Sequence, residues 1–133
     1  MKTYKGIPYL KAFNYLWENK GNTYADKTSE HKKIVKAFEK LLKTYRVEID
    51  KTAFGVQYTF QIPFKYLYDE DCGPIFEIRI FWIMFFNNGD VQVVGHSSPD
   101  AGPLSQYYRH DVDVTDASYD KVWDEETNKL VEL

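Results

Sequence analysis

A chain of 133 residues, 44% hydrophobic and 17% aromatic, has the size and make-up of one ordinary globular domain, which excludes disorder and any need for a metal or disulfide to fold. Its single cysteine, Cys72, cannot form an internal disulfide, so no oxidising compartment is implied. The net charge of −3 disfavours a nucleic-acid partner.

Taken in chain order, the first element is a short helix over residues 8–20. Pro8 suits a first helical position, where a missing N–H costs nothing. Leu10, Phe13, Leu16 and Trp17 share one face, and Gly21 can end the helix in the left-handed conformation. The N-terminus has no apolar run of signal-peptide length. A second helix is expected over 29–46, with Thr28 or Ser29 as cap. Ile34, Val35, Phe38, Leu41, Leu42 and Tyr45 form its apolar stripe. Lys32, Lys33, Lys36, Lys40 and Lys43 fall largely outside that stripe and read as a solvated face.

From residue 52 the period becomes two. Val56, Tyr58, Phe60, Ile62 and Phe64 alternate with Gln57, Thr59, Gln61 and Pro63, which predicts a half-buried strand. Pro63 suggests a strand end or an edge. Residues 68–74 read as a polar loop. Residues 74–96 read as a hairpin, because Asn88-Gly89 favours a two-residue type I′ turn. The apolar run at 80–86 is too short to cross a bilayer.

A two-residue turn pairs Phe86 with Val91 and divides the hairpin into two faces. Phe76, Ile78, Ile80, Trp82, Met84, Phe86, Val91 and Val93 carry no charge, and are assigned to the core beneath the helices. The other face holds Glu77, Arg79, Phe81, Ile83, Phe85, Gln92, Val94 and His96, joined by Gln57, Thr59 and Gln61. An apolar centre with a polar rim is the signature of an interaction surface. The C-terminal segment, a second copy of the chain in a homodimer, a ligand or a partner are the candidates to cover it.

Residues 97–106 form a loop punctuated by Pro99, Gly102 and Pro103. A strand follows, in which Tyr108, His110, Val112 and Val114 alternate with Tyr107, Arg109, Asp111, Asp113 and Thr115. Residues 122–133 then read as a hairpin, with the turn at Glu125–Asn128 and Asn128 left-handed. A helix is the alternative there, since Tyr119, Val122, Trp123, Glu126, Leu130 and Leu133 share a stripe.

Charge is unevenly spread. Residues 1–51 carry twelve basic and six acidic side chains, whereas residues 100–133 carry three and nine. Either the two ends attract each other in the fold, or the acidic tail offers a surface to a basic partner.

Chemical motifs are weak. His96, Asp100, His110, Asp111 and Asp113 include metal-ligand types, but alternation sends neighbours to opposite faces of a strand. The stretch from Asp111 to Asp116 begins like a calcium loop, yet lacks the glycine at position six and the glutamate at twelve. Cys72 sits in the acidic loop DEDCG, which disfavours a thiolate. No phosphate-binding glycine motif is present.

The sequence therefore predicts a single α+β domain over 1–133: two N-terminal helices on one face of an antiparallel sheet of four to six strands. The leading function is non-catalytic binding, of inhibitor or immunity type, to a protein with a basic surface. No cofactor, metal or membrane is expected, and the expected compartment is the cytoplasm. The binding residues would be Arg79, Phe81, Ile83, Phe85, Gln92, His96, Tyr107, Arg109, Asp111 and Asp113. The alternatives are a small-ligand site anchored by Arg79 and His96, and a metal-dependent hydrolase using His96, Asp100 and His110.

Overall fold

The computed structural model describes residues 10–43, 45–71, 73–100 and 121–132. Helix α1 spans Leu10–Glu18 and helix α2 spans Ser29–Leu42. The seven strands of the described residues are β1 (Thr23–Tyr24), β2 (Val47–Thr52), β3 (Gly55–Asp69), β4 (Gly73–Phe86), β5 (Val91–Asp100), β6 (Lys121–Asp124) and β7 (Lys129–Glu132). They form one sheet in the order β1-β5-β4-β3-β6-β7, with β2 also paired to β3. All neighbours are antiparallel except β3 and β6, which run parallel. The α+β architecture matches the sequence reading, and counting the two-residue β1 takes the strands to seven.

Local chemistry explains the helices. Thr28 caps α2: its Oγ1 accepts the His31 N–H at 3.1 Å. Ile34, Ala37, Phe38 and Leu41 are then buried on one stripe. Gly21 follows α1 at φ +89°, and its N–H donates to the Val93 carbonyl at 2.6 Å. The chain leaving α1 is thereby tied to the sheet, where β1 pairs with β5.

Strand β3 organises the sheet. One side pairs along its length with β4. The other side is divided: β2 pairs with residues 55–60 and β6 with residues 64–65. Pro63 lies in the gap between those two partners, where a strand tolerates a residue without an N–H. It sits inside a long strand and not at a strand end, so the edge it marked is a local one.

Strand β2 is absent from the sequence reading. Its burial explains why: only Val47 is even partly covered, and Ile49 is exposed. A strand with no buried face lacks the contrast that periodicity detects. The β6–β7 hairpin does appear where expected, with Asn128 at φ +56°.

The central correction concerns the turn between β4 and β5. Asn88 does not take a positive φ, whereas Gly89 does, at +96°. The Gly89 N–H donates to the Phe86 carbonyl and the Phe86 N–H to the Asp90 carbonyl, each at 2.9 Å. This is a type I turn closed by a left-handed glycine, a three-residue loop and not a two-residue one. Phe85 therefore pairs with Val91, and Ile83 with Val93. A one-residue slip sends every side chain of one strand to the other face relative to its partner.

The core follows from the true register. Phe60 pairs with Phe81 and Phe81 with Gly95. These residues, with Ile62, Phe64, Ile83, Val91 and Val93, meet Phe13, Leu16, Ile34, Phe38 and Leu41 of the helices. Phe81 and Ile83 are wholly buried, and Phe85 packs against this core. The stripe assigned to an open face is thus the core, and Ile80, Trp82 and Met84 lie on the face that the helices leave bare. Gly95 makes room for α1: a Cβ there would meet the Trp17 ring at 3.1 Å.

Candidate functional site

Both described helices pack on the inner face of the sheet, so the outer face carries no described helix. Cross-strand partners define its rows. Gln57, Met84 and Gln92 form one row, Thr59, Trp82 and Val94 the next, and Gln61, Ile80 and His96 the third. All are half-buried except His96, which is exposed. The centre is apolar, the flanks are neutral amides and hydroxyls, and no Asp, Glu, Lys or Arg occupies these nine positions.

The two ends of this face differ. Beyond the third row, Phe76 and Ile78 bury against Val122, with Ile80 and Val131 packed around them. The β6–β7 hairpin thus covers that end. Along the β3 edge, β2 adds Glu48 opposite Thr59 and Asp50 opposite Gln57, both exposed. The result is a neutral apolar strip with an acidic edge.

The residues predicted for binding are divided by the corrected register. Gln92 and His96 are on the outer face. Phe81, Ile83 and Phe85 belong to the inner face and the core. Arg79 pairs with Ile62 and Ser97 and is also inner, so it cannot share a pocket floor with His96, whose neighbour across β4 is Ile80. Tyr107, Arg109, Asp111 and Asp113 lie outside the described residues, as do Cys72 and His110.

Arg79 has a different setting from the one expected. It is only 9% exposed. Its guanidinium lies over the Phe64 ring at 4.2 Å and the Trp17 ring at 5.0 Å. Its Nε donates to Glu77 at 3.2 Å, and its terminal nitrogen donates to Glu125. A buried charge survives only with such partners. Glu125 belongs to the β6–β7 turn, so this cluster fastens that hairpin to β4. Its chemistry is that of a structural clamp.

Histidines and carboxylates elsewhere are similarly committed. His31 Nε2 lies 2.9 Å from the Gly89 carbonyl, docking the β4–β5 turn on α2. Asp124 is buried and accepts from the Glu126 N–H and the Thr127 hydroxyl, which closes the β6–β7 turn. Among the described residues, no three of His, Cys, Asp and Glu cluster closely enough to hold a metal ion.

A second surface was not assembled from the sequence. Between α1 and α2 runs a groove of about 280 Å³, lined by Lys11, Lys33, Lys36 and Lys40 above Ala12, Tyr15 and Ala37. The sequence did show three of these lysines on one helix. That Lys11 joins them depends on how the helices pack, which no local pattern encodes. Burial raises the pKa of Tyr15, with the neighbouring Tyr24 and Glu30 adding to the shift.

No described helix is long and apolar enough to cross a membrane. No family model, curated protein or solved structure matches the chain.

Proposed function

We propose that this protein is a non-catalytic binding module that engages a protein partner through the outer face of its sheet, in an inhibitor or immunity-type role in the cytoplasm. The observation that carries this reading is the strip around Ile80, Trp82, Met84 and Val94, with neutral polar flanks and the acidic edge of Glu48 and Asp50. Apolar surface of this kind, rimmed by polar residues, marks protein interaction sites, and a half-exposed tryptophan is a frequent energetic anchor. The acidic edge selects a partner whose own patch is bordered by basic residues, and would act mainly on the rate of encounter. Tyr107, Arg109, Asp111 and Asp113 remain candidates to extend this surface.

The small-ligand reading loses its two anchors, since Arg79 and His96 face opposite sides of the sheet. The hydrolase reading rests on His96 with Asp100 and His110, and among the described residues no three of His, Cys, Asp and Glu come together.

The test compares variants in capture from a lysate of the native host. Wild-type protein and a control altered on the helical side, Lys36→Gln, should retain the same partner. Trp82→Glu should lose it, because a carboxylate is placed where apolar surface must be desolvated. Glu48→Lys with Asp50→Lys should slow association and reduce its salt dependence. A partner held equally by wild type and Trp82→Glu would remove the outer face from the proposal.

A further inference from the structure

The lysine groove lies between the helices, on the opposite side of the sheet from the outer face, and needs its own account. Lys33, Lys36 and Lys40 stand at i, i+3 and i+7 of α2, so their stems rise from one stripe over about 10 Å of helix. Lys11 approaches from α1. Ala12 and Ala37 are buried between the helices, and their small side chains leave the trough open beneath the lysines. Among the described residues, no acidic side chain lines the groove. Among the described residues, none of the four lysines forms an ion pair within 4 Å. Glu30 and Glu39, the acids of α2, are both exposed and neither lines the groove. Four like charges converging on one trough repel one another, and an anion in the trough removes that repulsion.

The type of cation narrows the anion. Arginine forks onto carboxylates and phosphates alike in one plane, whereas a lysine ammonium is a compact point charge that demands no planar partner and accepts tetrahedral phosphate oxygens from any side. Among the described residues, the groove is lined by four lysines and no arginine. Its volume is near the lower end of small-molecule sites, about 300 Å³. A row of ammoniums about 10 Å long matches several linked phosphates better than a single one.

We propose that the groove between α1 and α2 binds an oligophosphate, held by Lys11, Lys33, Lys36 and Lys40 over the ring of Tyr15. The oligophosphate can be free or can be the triphosphate of a nucleotide. This site is independent of the outer sheet face, and either can fail without the other.

The experiment is calorimetric titration of the full chain at low ionic strength with sodium tripolyphosphate, orthophosphate and a nucleoside triphosphate. Tripolyphosphate should bind at least tenfold more tightly than orthophosphate. A nucleotide that binds more tightly than tripolyphosphate identifies the nucleotide as the source, and equal binding identifies the phosphate chain alone. The triple variant Lys33→Gln, Lys36→Gln, Lys40→Gln should weaken binding at least tenfold. The control triple Lys32→Gln, Lys43→Gln, Lys51→Gln makes the same change in net charge at exposed positions outside the groove, and should weaken it less than threefold. Should the groove variant fold poorly, amide shifts of wild-type protein on titration must centre on residues 11–15 and 33–40. Equal losses in the two triples, shifts spread over the surface, or no heat at millimolar tripolyphosphate would each overturn the proposal. So would tighter binding of a polyglutamate peptide or a single-stranded oligonucleotide than of tripolyphosphate.

Discussion

Strand β4 carries two apolar stripes one residue out of phase. Phe81, Ile83 and Phe85 form one, and Ile80, Trp82 and Met84 form the other. By composition they are near equals, yet the first lies in or against the core and the second is left half-covered. The difference comes from their cross-strand partners. The inner stripe meets Val56, Tyr58 and Phe60 on one side and Val91, Val93 and Gly95 on the other. The outer stripe meets Gln57, Thr59 and Gln61, then Gln92, Val94 and His96. Which stripe of a doubly apolar strand is buried is therefore a property of the sheet and not of the strand.

The sharpest way to break this comparison is to truncate neighbours. Phe81→Ala should remove a wholly buried ring among Phe13, Phe60 and the helices and cost about 3–5 kcal/mol. Trp82→Ala, one residue on, removes a larger ring but only a half-buried one, and should cost about 1–2 kcal/mol. Urea denaturation measures both. A larger loss at Trp82 would mean that the outer face is the better packed of the two.

Much of the fold was legible where amphipathic contrast was strong. Helix α2 and its Thr28 cap, the alternation of β3, and the left-handed Asn128 of the last hairpin all have local causes. The inside of β4 had none. Glu77 and Arg79 lie on the inner stripe and read as marks of a solvent face. In the fold their charge is absorbed at the end of the sheet by Glu125 and by the rings of Phe64 and Trp17. Glu125 is 46 positions from Arg79 in the chain and Trp17 is further still, beyond the reach of any periodicity. The candidate site shared this fate: Gln92 and His96 were placed on the correct face of β5, but against the wrong stripe of β4.

A smaller effect sharpens the comparison at its origin, the turn that sets the register. Gly89 holds φ +96°, and a Cβ there would also come within 3.1 Å of Asp26. Gly89→Val should cost about 1–3 kcal/mol, since a β-branched residue resists this backbone region. An unchanged denaturation midpoint would mean that the turn can relax without its glycine.

The smallest effect is the most discriminating. Loss at Gly89 is expected for either turn geometry, because both place that glycine at positive φ. Asn88 separates them. In a two-residue type I′ turn it too would be left-handed, and exchange for alanine would cost about 1–2 kcal/mol. In the three-residue turn Asn88 is not left-handed, and what alanine removes are two exposed hydrogen bonds, from the Asp90 N–H to the Asn88 side chain at 3.0 Å and from the Asn88 amide to the Asp90 carboxylate at 3.3 Å. Asn88→Ala should therefore stay within about 0.5 kcal/mol of wild type, as exposed substitutions generally do. A loss above about 1 kcal/mol would return the hairpin to the register in which Phe86 faces Val91. That register would exchange the two stripes of β4 relative to Val91 and Val93, and with them the face offered to a partner.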